Sequence, residues 1–262
     1  MKYFIAGLLM TLGLGAYAQR GSEGQFKYVL HKADTRGVSE IAWLLSYHTF
    51  SFSDYYDPDR MNFGALRVLN DDRIDPGKGF GTHPHKNMEI ITIPLEGTVE
   101  HKDNMKNRGL IEAGDVQIMS AGTGITHSEY NYSKTEPLKL LQIWVLPNML
   151  NVKPRYQQKN GVLTHQPDNT LIKVVSPTDT SALFLYQNAE FSVGRFTKGH
   201  KVTYPVAFKG NGVYAFIING KAKVNGIEVS SRDGLGIWNT VKILIEASED
   251  LHILLMDVPI VD

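Results

Sequence analysis

From about residue 26 to the C-terminus the chain is a succession of short apolar stretches, separated by Gly, Asn, Asp and Pro. Segments of strand length recurring every ten residues or so, with no long stretch of helical period, predict a packed all-β protein of sandwich or barrel type. Leu138 to Pro147 (LKLLQIWVLP) is the clearest case. Alternation puts Leu140, Gln142, Trp144 and Leu146 on one face and Leu141, Ile143 and Val145 on the other. Both faces are mostly apolar, so this strand is expected between two layers. Met88 to Leu95 and Thr98 to His101 flank Glu96-Gly97, which reads as a hairpin turn. Val116 to Met119 forms a further strand after the turn signal Glu112-Ala113-Gly114-Asp115. In the second half Val213 to Asn219 and Lys221 to Val224 flank Gly220, and Asn225-Gly226 makes another tight turn.

The two halves carry comparable strand–glycine turn–strand units. Pro147 to Pro154 and the polar stretch Tyr156 to Asn160 read as a connector between them. The expectation is therefore two β-barrels of similar build, with few helices, over residues 27–150 and 151–262. A length of 262 residues suits that division, and 42% hydrophobic residues supply a core for each half. Lys plus Arg (27) balances Asp plus Glu (27), which disfavours a nucleic-acid binder or a polybasic membrane-surface protein. Cysteine is absent, which excludes disulfides, thiolate metal sites and cysteine nucleophiles. Any metal must then be held by histidine, carboxylate or backbone oxygen.

Residues 1–18 read as an export signal. Lys2 precedes the apolar run Tyr3 to Gly15, and Ala16-Tyr17-Ala18 supplies a small-x-small cleavage site before Gln19. The run is shorter than the ~18–20 residues needed to cross a bilayer. The expected product is secreted or periplasmic, with no stable membrane anchor after cleavage.

One constellation of side chains stands out. Gly77-Lys78-Gly79-Phe80-Gly81-Thr82-His83-Pro84-His85 ends in His-x-His, and Gly122-Thr123-Gly124-Ile125-Thr126-His127-Ser128-Glu129 ends in His-x-Glu. On a strand, residues i and i+2 project from the same face. Two such pairs on neighbouring strands can converge on one ion, leaving two positions of an octahedron open for water or substrate. The candidate metal ligands are thus His83, His85, His127 and Glu129.

The segments GFGTHPHKNMEIITIPLEGTVEHKD and GDVQIMSAGTGITHSEYN closely resemble the pirin family, a branch of the two-domain cupins. Residues 48–74 and 141–159 are similar to that family's flanking segments, and the resemblance runs from about Lys27 to Lys159 before fading. It implies a bicupin fold, two cupin-type barrels, with one metal in the first, usually iron, on His83, His85, His127 and Glu129. The imidazole and carboxylate set would equally accept Mn, Ni, Cu or Zn. The general cupin pattern Gly-x5-His-x-His-x3-Glu is present as Gly77, His83, His85 and Glu89, and many cupins use that last glutamate as a ligand. The second motif departs from the pattern, with Ser120 where proline is usual. Pirins resemble this variant and use the glutamate after the second-motif histidine, which assigns Glu129 as ligand and leaves Glu89 in a supporting role.

The resemblance further implies a dioxygenase that opens the ring of quercetin or a related flavonol or polyphenol with dioxygen. Glu129 would be the catalytic base taking the hydroxyl proton. Some pirins resemble transcription cofactors, so a metal-containing regulatory or binding module is the alternative. In the second half His165, His200 and His252 lack an i+2 partner of ligand type, and that barrel reads as metal-free. His31, His48 and His101 read as packing or loop residues, Asp71-Asp72-Arg73 as a solvated turn, and Trp43, Trp144 and Trp238 as core.

Overall fold

The computed structural model describes residues 19–23 and 26–260, with side chains from Phe26 onward. The expected export signal lies outside the described residues. Among those residues, the only helix is a 3-10 turn at Ala33–Thr35, and every other regular element is a β-strand.

The strands form two barrels, each made of a seven-stranded and a four-stranded antiparallel sheet. In the first, the large sheet runs in the order Arg155–Lys159, Val116–Ser120, Glu89–Glu96, Leu138–Val145, Leu66–Ile74, Leu44–His48 and Gly37–Ile41. Its small sheet runs Gly79–His85, Ile125–Asn131, Thr98–Asp103 and Arg108–Glu112. The second barrel repeats this plan. Asn211–Asn219 and Leu251–Pro259 are paired at the centre of its large sheet, and Lys201–Pro205, Lys242–Ala247, Lys221–Val224 and Ile227–Ser230 make the small one.

Alternation along the central strands sets what lies where. Leu141, Ile143 and Val145 point out of the first barrel into a core shared with Tyr214, Phe216, Met256 and Val258 of the second. The two large sheets therefore pack on each other. On the opposite face of the same strand, Leu138 and Leu140 join Ile74, Val99 and Ile111 in closing one end of the first barrel. Further along that face stand Gln142 and Trp144, at the wall of a cavity. The expected placement of Leu138 to Pro147 between two layers holds. In the second barrel the corresponding inward face is aliphatic, with Ala215, Ile217, Ile243, Ile245, Ile253 and Leu255 in one cluster.

Three local expectations are corrected. Glu96-Gly97 is not a hairpin turn, because Glu89–Glu96 and Thr98–Asp103 belong to different sheets. Gly97 has φ +82° and turns the chain from one face of the barrel to the other, and Gly220, with φ +90°, does the same in the second barrel. Asn225-Gly226, with φ 47° and 84°, is a true hairpin turn joining Lys221–Val224 to Ile227–Ser230.

The polar stretch expected as connector contains the strand Arg155–Lys159, paired along Val116–Ser120. It is an edge strand without an apolar face, so periodicity gives no sign of it. Phe26–His31 also crosses the chain-order division at residue 150, pairing with Gly234–Trp238 of the second barrel. Each barrel's large sheet thus includes a strand from outside its own stretch of sequence. Finally, Asp71-Asp72-Arg73 is not a solvated turn. It lies within Leu66–Ile74, where Asn70, Asp72 and Ile74 point inward and are buried.

Candidate metal centre

The small sheet of the first barrel supplies the ligand candidates. Ile125–Asn131 pairs with Gly79–His85 so that His127 stands opposite His83 and Ile125 opposite His85. The register shifts between His127 and Glu129, and Glu129 pairs with Phe80. The strand Gly79–His85 therefore carries one extra residue, a bulge beside the site. On its other side Ile125–Asn131 pairs with Thr98–Asp103, setting Glu129 opposite His101.

This register brings the imidazoles of His83, His85 and His127 together, with one ring nitrogen of each within 4.8 Å of the others. Their ring centroids are 4.5 to 4.8 Å apart. Glu129 lines the same cavity, and with His101 and His127 it makes a second group of donors within 4.8 Å of one another. His127 is common to both groups. The four candidates therefore line one cavity, with three imidazoles tightly converged and the carboxylate approaching from the His127 side.

Each donor is held in a state suited to a cation. Nδ1 of His83 donates to the Gly81 carbonyl at 2.7 Å, which leaves Nε2 as the free lone pair. His127 is 2% exposed and neither ring nitrogen has a hydrogen-bond partner. A buried imidazole without partners is costly, and a bound metal ion removes that cost at one nitrogen. Burial, with the neighbouring His83 and His101, pushes His127 down to about 3. Burial, reinforced by His127 and His83, pushes His85 down to about 4. Both are neutral at pH 7, the form that binds metal. Because His85 is half-protonated only near pH 4 and His127 only near pH 3, metal retained at pH 7 is expected to persist at pH 5 and to be lost on acidification through 4 and 3. Metal content after equilibration across that range measures this. Release already complete at pH 5.5 would contradict it.

Glu129 is buried, and its Oε1 accepts from the Thr92 hydroxyl at 3.1 Å while Oε2 accepts from the Gln142 amide at 3.0 Å. These two residues fix the carboxylate plane, and each oxygen retains a lone pair for a cation or a proton. Glu89 lies elsewhere. Its Oε2 accepts from the Ser120 hydroxyl at 2.8 Å and from the Tyr186 backbone N–H at 3.3 Å, tying the first barrel to the second. It does not line the cavity. Burial raises its carboxyl to about 7.

The cavity has a volume of about 70 Å³. Phe52, Phe80, Ile90 and Trp144 give it an apolar lining, and Asn70, Asp72 and Gln142 add polar groups. His83 and His85 are half-buried whereas His127 and Glu129 are buried, so the cavity opens on the side of the strand Gly79–His85. Trp144, expected as core, is a wall residue whose ring stands edge-on to His85 at 5.0 Å. Two neighbours escaped the sequence reading. Asp72, to which Ser46 donates, is raised to about 7 by burial, with the charges of Asp71 and Glu129 adding to the effect. His101, expected as a packing or loop residue, is fully buried with its ring 5.3 Å from that of His127. Alternation within Thr98–Asp103 carries the signal, since Val99 and His101 share its buried face.

The two ligand strands approach so closely at Gly79 that a Cβ there would overlap the Glu129 carbonyl oxygen and lie 2.5 Å from the Tyr130 Cα. Gly79→Ala must push backbone against backbone. We expect a loss of about 1–3 kcal/mol in stability and weakened metal binding, read by thermal unfolding and metal titration. An unchanged metal affinity would show that the pairing at Gly79 does not position Glu129.

A family profile described as Pirin matches residues 30–145, and one described as Quercetinase C-terminal cupin domain matches residues 173–258. A quercetin 2,3-dioxygenase from Escherichia coli (strain K12) is 46% identical over 231 residues, covering 88% of this chain and 98% of the relative. A pirin-like protein from Caulobacter vibrioides is 40% identical over 226 residues, 86% of this chain and 96% of the relative. Among solved structures, the bacterial pirin YhhW from Escherichia coli in complex with nickel(II) superposes with a TM-score of 0.84 at 44% identity, covering 89% of this chain and all of that one.

Proposed function

The chain belongs to the pirin family, and on that premise we propose that it is a metal-dependent dioxygenase that opens the heterocyclic ring of quercetin or a related flavonol with dioxygen. The observation that carries this reading is the convergence of His83, His85 and His127 at the wall of a cavity, with both ring nitrogens of buried His127 lacking a protein partner. His83, His85, His127 and Glu129 would hold one divalent cation, for which iron is our assignment. The relatives named quercetin 2,3-dioxygenase support the substrate class.

A divalent cation held there would lower the pKa of a coordinated enolic hydroxyl and make the flavonol electron-rich toward dioxygen. The chain's own residues do the rest. Glu129, oriented by Thr92 and Gln142, is placed to take the hydroxyl proton. Phe52, Phe80 and Trp144 flank the approach and keep water from the reacting edge. About 70 Å³ admits only the chelating edge of a flavonol, so the remaining rings lie across the mouth, over the half-buried His83 and His85.

The test is an assay of iron-loaded protein with quercetin and dioxygen. One carbon monoxide released per quercetin consumed is expected. Metal-replete protein that consumes neither reactant would overturn the reading. Export is part of the proposal, resting on Lys2, the apolar run to Gly15 and Ala16-Tyr17-Ala18. A mature N-terminus at Gln19 in the periplasmic or extracellular fraction is the expected outcome.

A further inference from the structure

A polar cleft of about 540 Å³, separate from the metal centre, lies between the two barrels, walled by Pro94, Glu96 and Thr164 on one side and Arg195, Arg232 and His252 on the other. Its floor has a regular origin. Arg195, His252 and Asn219 stand directly opposite one another on three adjacent strands of the second barrel's large sheet. Directly opposed residues project from the same face with Cβ atoms about 4.5–5.5 Å apart. The three side chains therefore form one row across the sheet.

The first barrel has the equivalent row. Arg73, Lys139 and Glu96 are opposed in the same way, Lys139 and His252 each being second in their strands, and Glu96 and Asn219 each preceding the corner glycine. There the cations are matched, Lys139 by Glu96 at 2.9 Å and Arg73 by Asp75 at 2.9 Å. In the second barrel Asn219 replaces the acid, and no ion pair to Arg195 is formed among the described residues. Arg232 reaches the cleft from the turn after Ile227–Ser230, on a left-handed backbone with φ +68°. Its Nε faces Asp71 at 3.6 Å, but that carboxylate is shared with Arg36 at 3.2 Å, so the group retains an excess positive charge. Two polar atoms here are buried without a partner, Nη1 of Arg232 and Nε2 of His252. Glu96, the carboxylate on the facing wall, is occupied by Lys139.

We infer that this cleft binds a small oxyanion, a carboxylate or a phosphate group, gripped by the guanidinium groups of Arg195 and Arg232 and by the Nε2–H of His252. Guanidinium groups suit planar carboxylates and phosphates because their N–H fork matches two oxygens at once. Burial, together with the two arginines, pushes His252 down to about 4, so at pH 7 it contributes a neutral donor and no charge. The site is separate from the metal centre and does not depend on the dioxygenase reading.

Titration calorimetry of the purified protein with inorganic phosphate and, separately, with benzoate tests this at constant ionic strength. Saturable binding of one of the two is expected, the stronger ligand reporting whether the site prefers a tetrahedral or a planar oxyanion. Arg195→Gln and Arg232→Gln should each weaken it roughly tenfold or more, while His83→Ala leaves it unchanged. Thermal unfolding checks that the variants are folded, and either arginine variant alone suffices. No saturable binding of either anion up to about 20 mM, or binding indifferent to the folded arginine variants, would overturn the inference.

Discussion

His127→Ala is expected to abolish metal binding, taking metal content from about one ion per chain to below about 0.1, and to lower quercetin turnover by about a thousandfold or more. The size of the effect follows from position. His127 is the shared member of the two donor groups, His83–His85–His127 and His101–His127–Glu129, so its loss leaves neither complete. The side chain makes no hydrogen bond, and removing it breaks no protein contact of that kind. The metal-free variant should therefore unfold near the temperature of the metal-free parent. What should disappear is the stabilisation that added metal gives the parent, about 4 kcal/mol at a thousandfold excess over Kd. His101→Gln is the control and should keep its metal. Unfolding temperature and elemental analysis separate a lost site from a lost fold, and a His127→Ala protein that retains one tightly held ion would refute the assignment.

Glu129→Gln should behave differently. The amide keeps an oxygen for the Thr92 hydroxyl but has no negative charge and accepts no proton at neutral pH, while Gln142 loses one acceptor. Three imidazoles remain, so saturating metal should still load the protein, with affinity reduced about 10–100-fold. Turnover should fall by about 10²–10⁴ even when metal is saturating, the range for a lost general base. Single-turnover kinetics at saturating metal measure this. Full turnover after metal loading would show that Glu129 neither accepts the proton nor positions what does.

The parts of this molecule that were legible in the sequence are those written in alternation. Leu138 to Pro147 announced a strand with two buried faces, and the structure sets one against the second barrel and the other toward the cavity. His-x-His and His-x-Glu were legible because period 2 puts each pair on one face. Their convergence needed only that the two strands be neighbours, and they are. What alternation cannot encode is partnership. Glu96-Gly97 looked like a hairpin because a glycine between two strands has the same local signature whether it folds them together or sends the second to the opposite sheet. Arg155–Lys159 was hidden by its polarity, and Phe26–His31 by its remoteness in sequence from Gly234–Trp238. Asp72 and His101 were missed for a related reason. A charged or polar residue in a strand is by default solvent-facing, and only the burial of Asn70 and Ile74, or of Val99, reveals that these point inward.

The two overlapping donor groups allow a direct decision on where the ion sits. Anomalous diffraction from crystals of metal-loaded protein, collected on either side of the metal's absorption edge, locates it without reference to activity. A single peak is expected within bonding distance of His83, His85 and His127, with Glu129 as the fourth protein ligand. A peak held by His101 and Glu129 that leaves His83 and His85 unbound, or no peak in the first barrel, would contradict that assignment.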